Sequence, residues 1–157
     1  MTKTQPIVIP CIAATPYYQG TECGTTPWLT IAEDRIELFG RATGDTRWIH
    51  LDAERAARES PWKSTIADGY LLLSLVPGLL PQLIVLIGWS TAINTGVDGC
   101  AFPGVVTAGA RVRMGARLAR TRILAGNGCR LGFDVWFEVE GSETPACRAR
   151  VNYAYFE

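Results

Sequence analysis

The sequence has one histidine and no excess of charge of either sign. Fifteen basic residues balance fifteen acidic ones, so the formal net charge at pH 7 is zero. Proteins that bind nucleic acid or anionic lipid usually carry clustered lysine and arginine, and this chain has no basic tail of that kind. The charge balance therefore argues against nucleic acid and membrane surfaces as partners.

The cysteines are too widely spaced for a metal or redox motif. Such motifs need close pairs of cysteines, and no close pair occurs among Cys11, Cys23, Cys100, Cys129 and Cys147. Their odd number and spacing predict small buried side chains with free thiols in a reducing compartment. The sequence also lacks a glycine-rich phosphate loop and a nucleophile elbow. It therefore predicts neither a metal nor a cofactor.

No apolar run is long enough to span a membrane without interruption. Residues 69 to 89 come nearest, but a spanning helix needs about 20 continuous apolar residues, and this run is broken at Pro77, Gly78, Pro81 and Gln82. We expect a buried helix over about residues 69 to 80, followed by a buried strand. The N-terminal stretch, residues 1 to 18, is polar at its start and interrupted by prolines, unlike a secretory signal. We therefore expect a cytoplasmic protein.

Three stretches in the second half of the chain alternate between apolar and polar residues with the period of a β-strand. The apolar positions are Val112, Met114, Ala116 and Leu118, then Leu131, Phe133, Val135, Phe137 and Val139, then Cys147, Ala149, Val151, Tyr153 and Tyr155. Glycine-containing turns at 126–128 and 141–143 indicate antiparallel neighbours. With 157 residues, 48% of them apolar, we expect one α+β domain over residues 1–157, in which an antiparallel sheet wraps round the buried helix.

A short helix is predicted in the first half of the chain. Thr30 and Glu33 have the spacing of a capping box, and apolar residues then recur at helical intervals. This pattern predicts a helix over residues 31–42 that ends at Gly44.

The only histidine follows this helix. Asp52 is a good N-cap for a second short helix, so His50 lies in the connection between the two helices. A loop at this point can bring Asp45 and His50 together, whereas a continuous helix would turn them apart. An imidazole moves protons near neutral pH, and a carboxylate can hold a water molecule or orient the imidazole. The two residues are therefore candidates for acid–base catalysis.

The run FGRATGDTRWIHLDAERA, residues 39–56, resembles the hydratase motif of MaoC-like dehydratases and (R)-specific enoyl-CoA hydratases. Two further blocks, residues 60–75 and 93–113, agree with that family in order and spacing. The resemblance covers roughly residues 20–157. It is closest to the branch that includes nodulation protein N, in which TGD is likewise followed by an aromatic residue, an aliphatic residue and histidine. It implies the hotdog fold, an antiparallel sheet wrapped round a central helix.

The resemblance also implies an activity. In the hydratases, the aspartate and histidine of the motif hold and activate a water that adds to a trans-2-enoyl thioester and gives the (R)-3-hydroxyacyl product. Asp45 and His50 occupy these places, and Gly69 occupies that of the glycine whose backbone N–H polarises the thioester carbonyl. The family precedent further implies an acyl substrate carried on coenzyme A or an acyl carrier protein, a homodimer, and no cofactor.

The chain departs from the family pattern near the predicted site. Most relatives have histidine before the glycine that opens the central helix, whereas this chain has Asp68. Aspartate is among the best N-cap residues, so Asp68 is either a helix cap or an additional acid in an altered site. Some hydratases have a serine where this chain has Pro77, and we expect proline to bend or end the helix there.

Two alternatives to a thioester hydratase follow from these departures. One is a repurposed dehydratase, isomerase or cyclase that acts on an unusual, polyketide-like substrate. The other is a catalytically silent binding subunit. Five strand arginines also have two interpretations: contact with the phosphates of coenzyme A or an acidic carrier helix, or cross-strand pairing with acidic residues. They are Arg111, Arg113, Arg117, Arg120 and Arg122, and the acidic candidates are Asp134, Glu138 and Glu140.

Overall fold

The computed structural model describes residues 5–157, so the first four residues of the N-terminal stretch lie outside it. The first part of the chain contains short elements. They are strand β1 (Ile7–Ile9), a 3₁₀ helix (Ile12–Tyr18), strands β2 (Glu22–Thr25) and β3 (Leu29–Thr30), and helices α1 (Glu33–Thr43), α2 (Trp48–Leu51) and α3 (Ala53–Glu59). The central segment contains helices α4 (Gly69–Ser74) and α5 (Val76–Leu79), a 3₁₀ turn (Leu80–Gln82) and strand β4 (Ile84–Leu86).

Four long strands complete the chain: β5 (Thr91–Ala101), β6 (Arg111–Leu124), β7 (Gly128–Val139) and β8 (Cys147–Phe156). They belong to a six-stranded antiparallel sheet in the order β2-β6-β7-β8-β5, in which β3 also pairs with β6. The short strands β1 and β4 pair in parallel as a separate ribbon. The α+β class and the three alternating strands predicted from the sequence are confirmed.

The inner face of the sheet packs against the central helical segment. Strand residues such as Phe133, Phe137 and Val151 are almost completely buried, as are Leu72 and Val76 of the helical segment. Alternation therefore gives the sheet one apolar face, and the helix covers it.

The central segment differs from the single, fully buried helix expected over residues 69–80. It divides into α4, α5 and a 3₁₀ turn, with the break at Leu75 and Pro77 just after it. Proline has no N–H for the helical ladder, which accounts for the break there. Tyr70, Pro77 and Gly78 are exposed in the single chain, so burial on every side was wrong as a prediction.

Of the two helix caps predicted in the first half of the chain, the structure confirms the one at α3 and not the one at α1. Thr30 lies in β3 and Ala32 precedes α1 without a side-chain cap, so the predicted capping box is wrong. Asp52 caps α3 as expected, because its carboxylate accepts the N–H of Arg55 at 2.9 Å.

The cysteines follow the prediction in part. Cys23, Cys129 and Cys147 are buried, and burial raises the pKa of the Cys147 thiol to about 12. Cys11 and Cys100 are exposed, so the expectation that every cysteine is buried was wrong. Cys100 lies on β5, the edge strand of the sheet, which has no partner on its outer side within residues 5–157. Among the described residues, no helix combines the length and apolar character needed to cross a membrane.

Candidate active site

The connection after α1 brings Asp45 and His50 together. Gly44 ends α1 with a φ of 77°, a left-handed conformation that favours glycine, and the chain then turns through Asp45 into the one-turn helix α2. His50 lies inside α2 rather than in an irregular loop. Its Nε2 atom is 3.7 Å from Oδ2 of Asp45, so the two candidate residues face each other.

The close approach of this turn to α1 depends on a second glycine. A Cβ on Gly40 would lie 2.9 Å from the backbone oxygen of Asp45 and 3.1 Å from Cδ2 of Leu51. The first of these contacts is with backbone, which cannot move aside cheaply. Gly40 therefore lets the segment that carries Asp45 and His50 pack directly on α1.

A hydrogen bond to the backbone of Ile66 determines the tautomer of the neutral His50 ring. The side chain is almost fully buried, and Nδ1 is 2.7 Å from the carbonyl oxygen of Ile66. A carbonyl oxygen can only accept a hydrogen bond, so Nδ1 carries the hydrogen and Nε2 of the neutral ring has a free lone pair. Nε2 has no hydrogen-bond partner among residues 5–157. It is thus a buried, unpaired base that faces a carboxylate.

Arg47 holds the carboxylate of Asp45. Its Nε donates to Oδ1 and Oδ2 at 2.8 and 3.1 Å, its Nη2 contacts Oδ2, and its backbone N–H donates to Oδ1 at 3.2 Å. These hydrogen bonds from Arg47 keep the pKa of Asp45 well below its usual range. Asp45 is therefore ionised at neutral pH and available as a hydrogen-bond acceptor.

Asp68 caps α4, as one of the two sequence alternatives predicted, and its carboxylate also lies beside the candidate site. Its Oδ1 accepts the N–H of Tyr70 at 2.7 Å, so it caps α4. Its Oδ2 lies 3.4 Å from Nη2 of Arg47, so the carboxylate also borders the site. A negative charge at this place is balanced by the guanidinium of Arg47.

Gly69 opens α4 next to these groups, beneath an aromatic side chain. A Cβ at this position would lie 2.6 Å from the ring of Phe102, which packs edge-to-face with Tyr70. The side-chain Oδ1 of Asp68 accepts the N–H of Tyr70, and the backbone oxygen of Asp68 accepts the N–H of Leu71. No hydrogen bond within the described part of the chain uses the Gly69 N–H. The Gly69 N–H is therefore a candidate donor to a substrate.

One possible metal-ligand atom from each of Asp45, His50 and Asp68 lies within 4.8 Å of the other two, which is a spacing that a divalent metal could use. The guanidinium of Arg47 lies against both carboxylates and supplies positive charge at this place. The cluster is therefore an ion-paired group in which one guanidinium lies against two carboxylates and an imidazole faces one of them.

An apolar cavity of about 230 Å³ lies at the other end of the central segment. Its lining includes Pro77 and Leu80 of the helical segment and Phe133, Tyr153 and Tyr155 of the sheet. The Tyr153 hydroxyl is buried and finds no hydrogen-bond partner among the described side chains and backbone. A larger surface cleft of about 640 Å³ is lined by Asp134, Trp136, Arg150 and their neighbours, and none of the site residues lines it.

The strand arginines divide into two groups. Arg111, Arg113 and Arg117 form salt bridges with acidic residues of neighbouring strands: Glu140 at 2.8 Å, Glu138 at 2.6 Å and Glu22 at 3.5 Å. Within the described residues, Arg120 and Arg122 form no salt bridge. Pairing with the predicted acidic residues is thus confirmed for Arg111 and Arg113, whereas Arg117 pairs with Glu22 and Asp134 pairs with Arg150.

Comparison with known proteins identifies the family. Residues 16–128 match the model of the MaoC like domain. The chain belongs to the MaoC-like dehydratase family. The 3-hydroxyacyl-thioester dehydratase Z of Mycobacterium tuberculosis is 40% identical over 130 residues, which make up 83% of this chain and 85% of that protein. Nodulation protein N of Rhizobium leguminosarum bv. viciae is 34% identical over 139 residues, 88% of this chain and 86% of that protein.

Among solved structures, the unliganded R-hydratase PhaJ1 from Pseudomonas aeruginosa aligns with a TM-score of 0.67 and 24% identity. The alignment covers 88% of this chain and 82% of that one. The MaoC-like resemblance, the hotdog fold and the enzyme class, a dehydratase of the lyases, are therefore confirmed.

Sequence reasoning missed Arg47. An exposed arginine beside a turn is typical of a solvated surface, and nothing in its surroundings distinguishes it until the fold places Asp68 against it. The spacing of two residues from Asp45 was the only available signal, because an aspartate often accepts the N–H two residues later.

Proposed function

We propose that this protein is a hydro-lyase that interconverts an enoyl thioester and its 3-hydroxyacyl thioester by acid–base catalysis at Asp45 and His50. The observation that carries the proposal is the unpaired, buried Nε2 of His50, which faces the ionised carboxylate of Asp45 at 3.7 Å. A relative that is 40% identical is a 3-hydroxyacyl-thioester dehydratase, which supports the substrate class.

The two acceptors are suited to hold one water molecule. A neutral Nε2 lone pair and a carboxylate oxygen cannot hydrogen-bond to each other, because neither carries a hydrogen. A water at about 2.8 Å from both atoms donates one hydrogen to each and directs an oxygen lone pair at the substrate. His50 and Asp45 therefore orient the nucleophile and provide its base.

The proposed hydration begins with attack of the water oxygen on C3 of the enoyl thioester. The new C–O bond forms as one O–H bond breaks and its proton moves to Nε2 of His50. The π electrons of the C2–C3 double bond move toward C2 and the thioester oxygen. The imidazolium then returns the proton to C2, so that one molecule of water has been added and His50 is neutral again. Ionised Asp45 stabilises the imidazolium meanwhile, and dehydration is the reverse sequence.

The Gly69 N–H is the proposed donor to the thioester oxygen. It begins α4 beside Asp68, where the next two N–H groups are already used. A donor that is fixed before the reaction stabilises the charge that develops on this oxygen. The negative charge of Asp68 would oppose this effect, and its pairing with Arg47 reduces the opposition.

The apolar cavity is the proposed site of the acyl chain. Pro77 follows Gly69 by eight residues, or about 12 Å at the rise of a helix. An acyl chain that extends from the thioester along the central segment would reach the cavity lined by Pro77 and Leu80. The carrier, coenzyme A or an acyl carrier protein, would remain outside the site.

We further propose a homodimer that forms through β5. This edge strand is long, and its apolar residues Ile93 and Val97 are exposed in the single chain. An exposed apolar edge favours pairing with another strand, and two copies related by a two-fold axis would join their sheets. The single domain and the cytoplasmic location remain predictions.

Cysteine reactivity tests the dimer. Cys11 and Cys100 are both exposed in the single chain, but only Cys100 lies on β5. We expect iodoacetamide to modify Cys11 rapidly and Cys100 slowly in the native protein, and sedimentation to give the mass of a dimer. Equal rates together with the mass of a monomer would contradict the dimer.

The activity is tested by mass-spectrometric turnover of a panel of trans-2-enoyl and 3-hydroxyacyl thioesters, with His50→Ala as the comparison. We expect the wild type to convert at least one pair and the variant to lose this activity while its circular dichroism spectrum is unchanged. A folded wild type that converts no thioester would refute the proposal.

A second candidate function is a repurposed MaoC-like reaction on an unusual substrate, which the carboxylate of Asp68 beside the site favours. Asp68→Asn distinguishes the two, because asparagine retains the capping oxygen but removes the charge. Native turnover that falls only modestly supports the positioning and capping role. Complete loss in a folded variant favours an additional catalytic acid and hence altered chemistry.

A further inference from the structure

Arg47 spans the two halves of the site. The segment from Asp45 to His50 provides the acid–base pair, while Asp68 and Gly69 belong to the start of α4. The guanidinium of Arg47 contacts the carboxylates of both Asp45 and Asp68. Asp68 is itself tied to the main chain of α4 through the Tyr70 N–H. An unbroken series of polar contacts therefore runs from Asp45 to the residue before Gly69.

The contacts also determine the direction of the Asp45 carboxylate. Arg47 donates to both of its oxygens from a planar group, and the backbone N–H of Arg47 holds Oδ1 as well. A paired, planar contact restricts rotation of a carboxylate more than a single hydrogen bond does. Oδ2, which faces Nε2 of His50, is thereby held in place.

Asp68 creates the need for this arrangement. Two carboxylates that border one site repel each other, and without a cation one of them would turn away or take up a proton. The guanidinium lies against both. Its side chain remains two-thirds exposed, so it reaches both carboxylates from the solvent side.

We infer that Arg47 is a positioning residue that fixes Asp45 toward His50 and links this pair to the Gly69 end of α4 through Asp68. The inference rests on the proposed hydratase function. It assigns a role to the departure at Asp68: the acid anchors Arg47, and Arg47 in turn anchors Asp45. Arg47 itself need not touch the substrate.

The kinetic test compares Arg47→Gln, Arg47→Lys, Asp68→Asn and the double variant Arg47→Gln with Asp68→Asn, all with the thioester pair that the wild type converts. We expect Arg47→Gln to lower kcat about tenfold or more with little change in KM, because the carboxylate is misplaced while the substrate contacts remain. Arg47→Lys keeps the charge but not the planar paired contact, so it should lose less than Arg47→Gln and remain below the wild type. Asp68→Asn should add little to Arg47→Gln, since both changes break the same series of contacts.

Arg41→Gln is the matched control. Arg41 is about as exposed as Arg47 and forms a salt bridge with Glu37 on α1, outside the site, so the kcat of Arg41→Gln should equal that of the wild type. If Arg47→Gln has the same kcat as Arg41→Gln, or if the losses from Arg47→Gln and Asp68→Asn multiply, the inference is overturned. If Arg47→Gln does not fold, Arg47→Lys and Asp68→Asn decide between the outcomes, because Arg47→Lys retains the positive charge and Asp68→Asn retains the oxygen that caps α4.

A measurement without substrate separates this inference from the proposed function. His50 is the only histidine, so untagged protein gives one imidazole signal in the NMR spectrum. At a fixed neutral pH we expect Arg47→Gln to move this signal in the direction that Asp45→Asn moves it, whereas Arg41→Gln leaves it in place. An unmoved signal in Arg47→Gln would overturn the inference even if the wild type is active. A moved signal in a protein that converts no thioester would leave Arg47 in its role and refute the hydratase reaction.

Discussion

The two ends of the central helical segment differ in the polarity of the side chains around them. At its start, four polar side chains, Asp45, Arg47, His50 and Asp68, gather around Gly69. At its far end, Pro77 and Leu80 line a cavity whose walls are mainly apolar. Apolar walls cannot move protons, and ionised groups bind alkyl chains poorly. From this difference we predict that the start of the segment determines the rate of the proposed reaction and that the far end determines the choice of acyl chain.

Changes at the polar end should therefore lower kcat for every substrate. The largest fall in kcat among the variants of this comparison is expected with Asp45→Asn. This change keeps the shape of the side chain but removes the negative charge beside His50. We predict a fall in kcat of about a hundredfold for short and long acyl chains alike. Asp34→Asn, at the exposed start of α1, is the control and should match the wild type. A fall confined to one chain length would contradict the division of roles.

A smaller loss is expected with Gly69→Ala. The added Cβ would meet the ring of Phe102 at 2.6 Å, so either the ring or the start of α4 must shift. We predict a fall in kcat of about tenfold, because the Gly69 N–H is displaced from the thioester oxygen. Gly78→Ala, in the same segment but with nothing within 4 Å of the new Cβ, should keep full activity. Equal activity of the two variants would argue against a role for the Gly69 N–H.

The apolar end should respond to acyl length instead. Leu80 is buried and lines the cavity, and Leu80→Phe reduces its volume. We predict that KM rises about tenfold for the longest thioesters that the wild type accepts and stays unchanged for the shortest. Kinetics across a series of chain lengths provide the measurement. A uniform change in kcat would show that the cavity does not hold the acyl chain.

The smallest effect is expected at the Tyr153 hydroxyl, which is buried near the Asn94 side chain and forms no hydrogen bond of good geometry within residues 5–157. Tyr153→Phe removes a polar group that gains little from the fold, so the free energy of unfolding should change by less than about 1 kcal/mol. The preference among unbranched acyl chains should also remain. Urea unfolding and the same kinetic series test this. A loss of several kcal/mol would mean that the hydroxyl has a partner in solution, such as an ordered water.

The sequence allowed the sheet and the approach of Asp45 to His50 to be predicted, but for different reasons. Strand alternation follows from burial of one face, so Phe133 and Val151 could be placed on the inner face without a structure. Asp45 and His50 were identified because the TGDTRWIH motif resembles a known one, and periodicity alone gave no distance between them.

The parts that the sequence did not predict depend on contacts between distant segments. The role inferred for Arg47 depends on its contact with Asp68, which lies 21 residues later. Local sequence patterns contain no information about that contact. Pro77 was expected to bend or end the central helix, and the break lies at Leu75, two residues earlier. Its exact place could not be predicted, because the apolar residues continue across it. The exposure of Cys100 follows from its edge strand, and strand order could not be read from the alternation alone.

The central claim is that His50 is the base that activates water at this site. Its most direct test is to incubate an enoyl thioester in oxygen-18-labelled water with the wild type or with folded His50→Ala, and to follow the label by mass spectrometry. We predict that the wild type places the label on C3 of the 3-hydroxyacyl product and that the variant is slower by at least about a hundredfold. Incorporation of the label by His50→Ala at the wild-type rate would show that His50 is not the base that activates water.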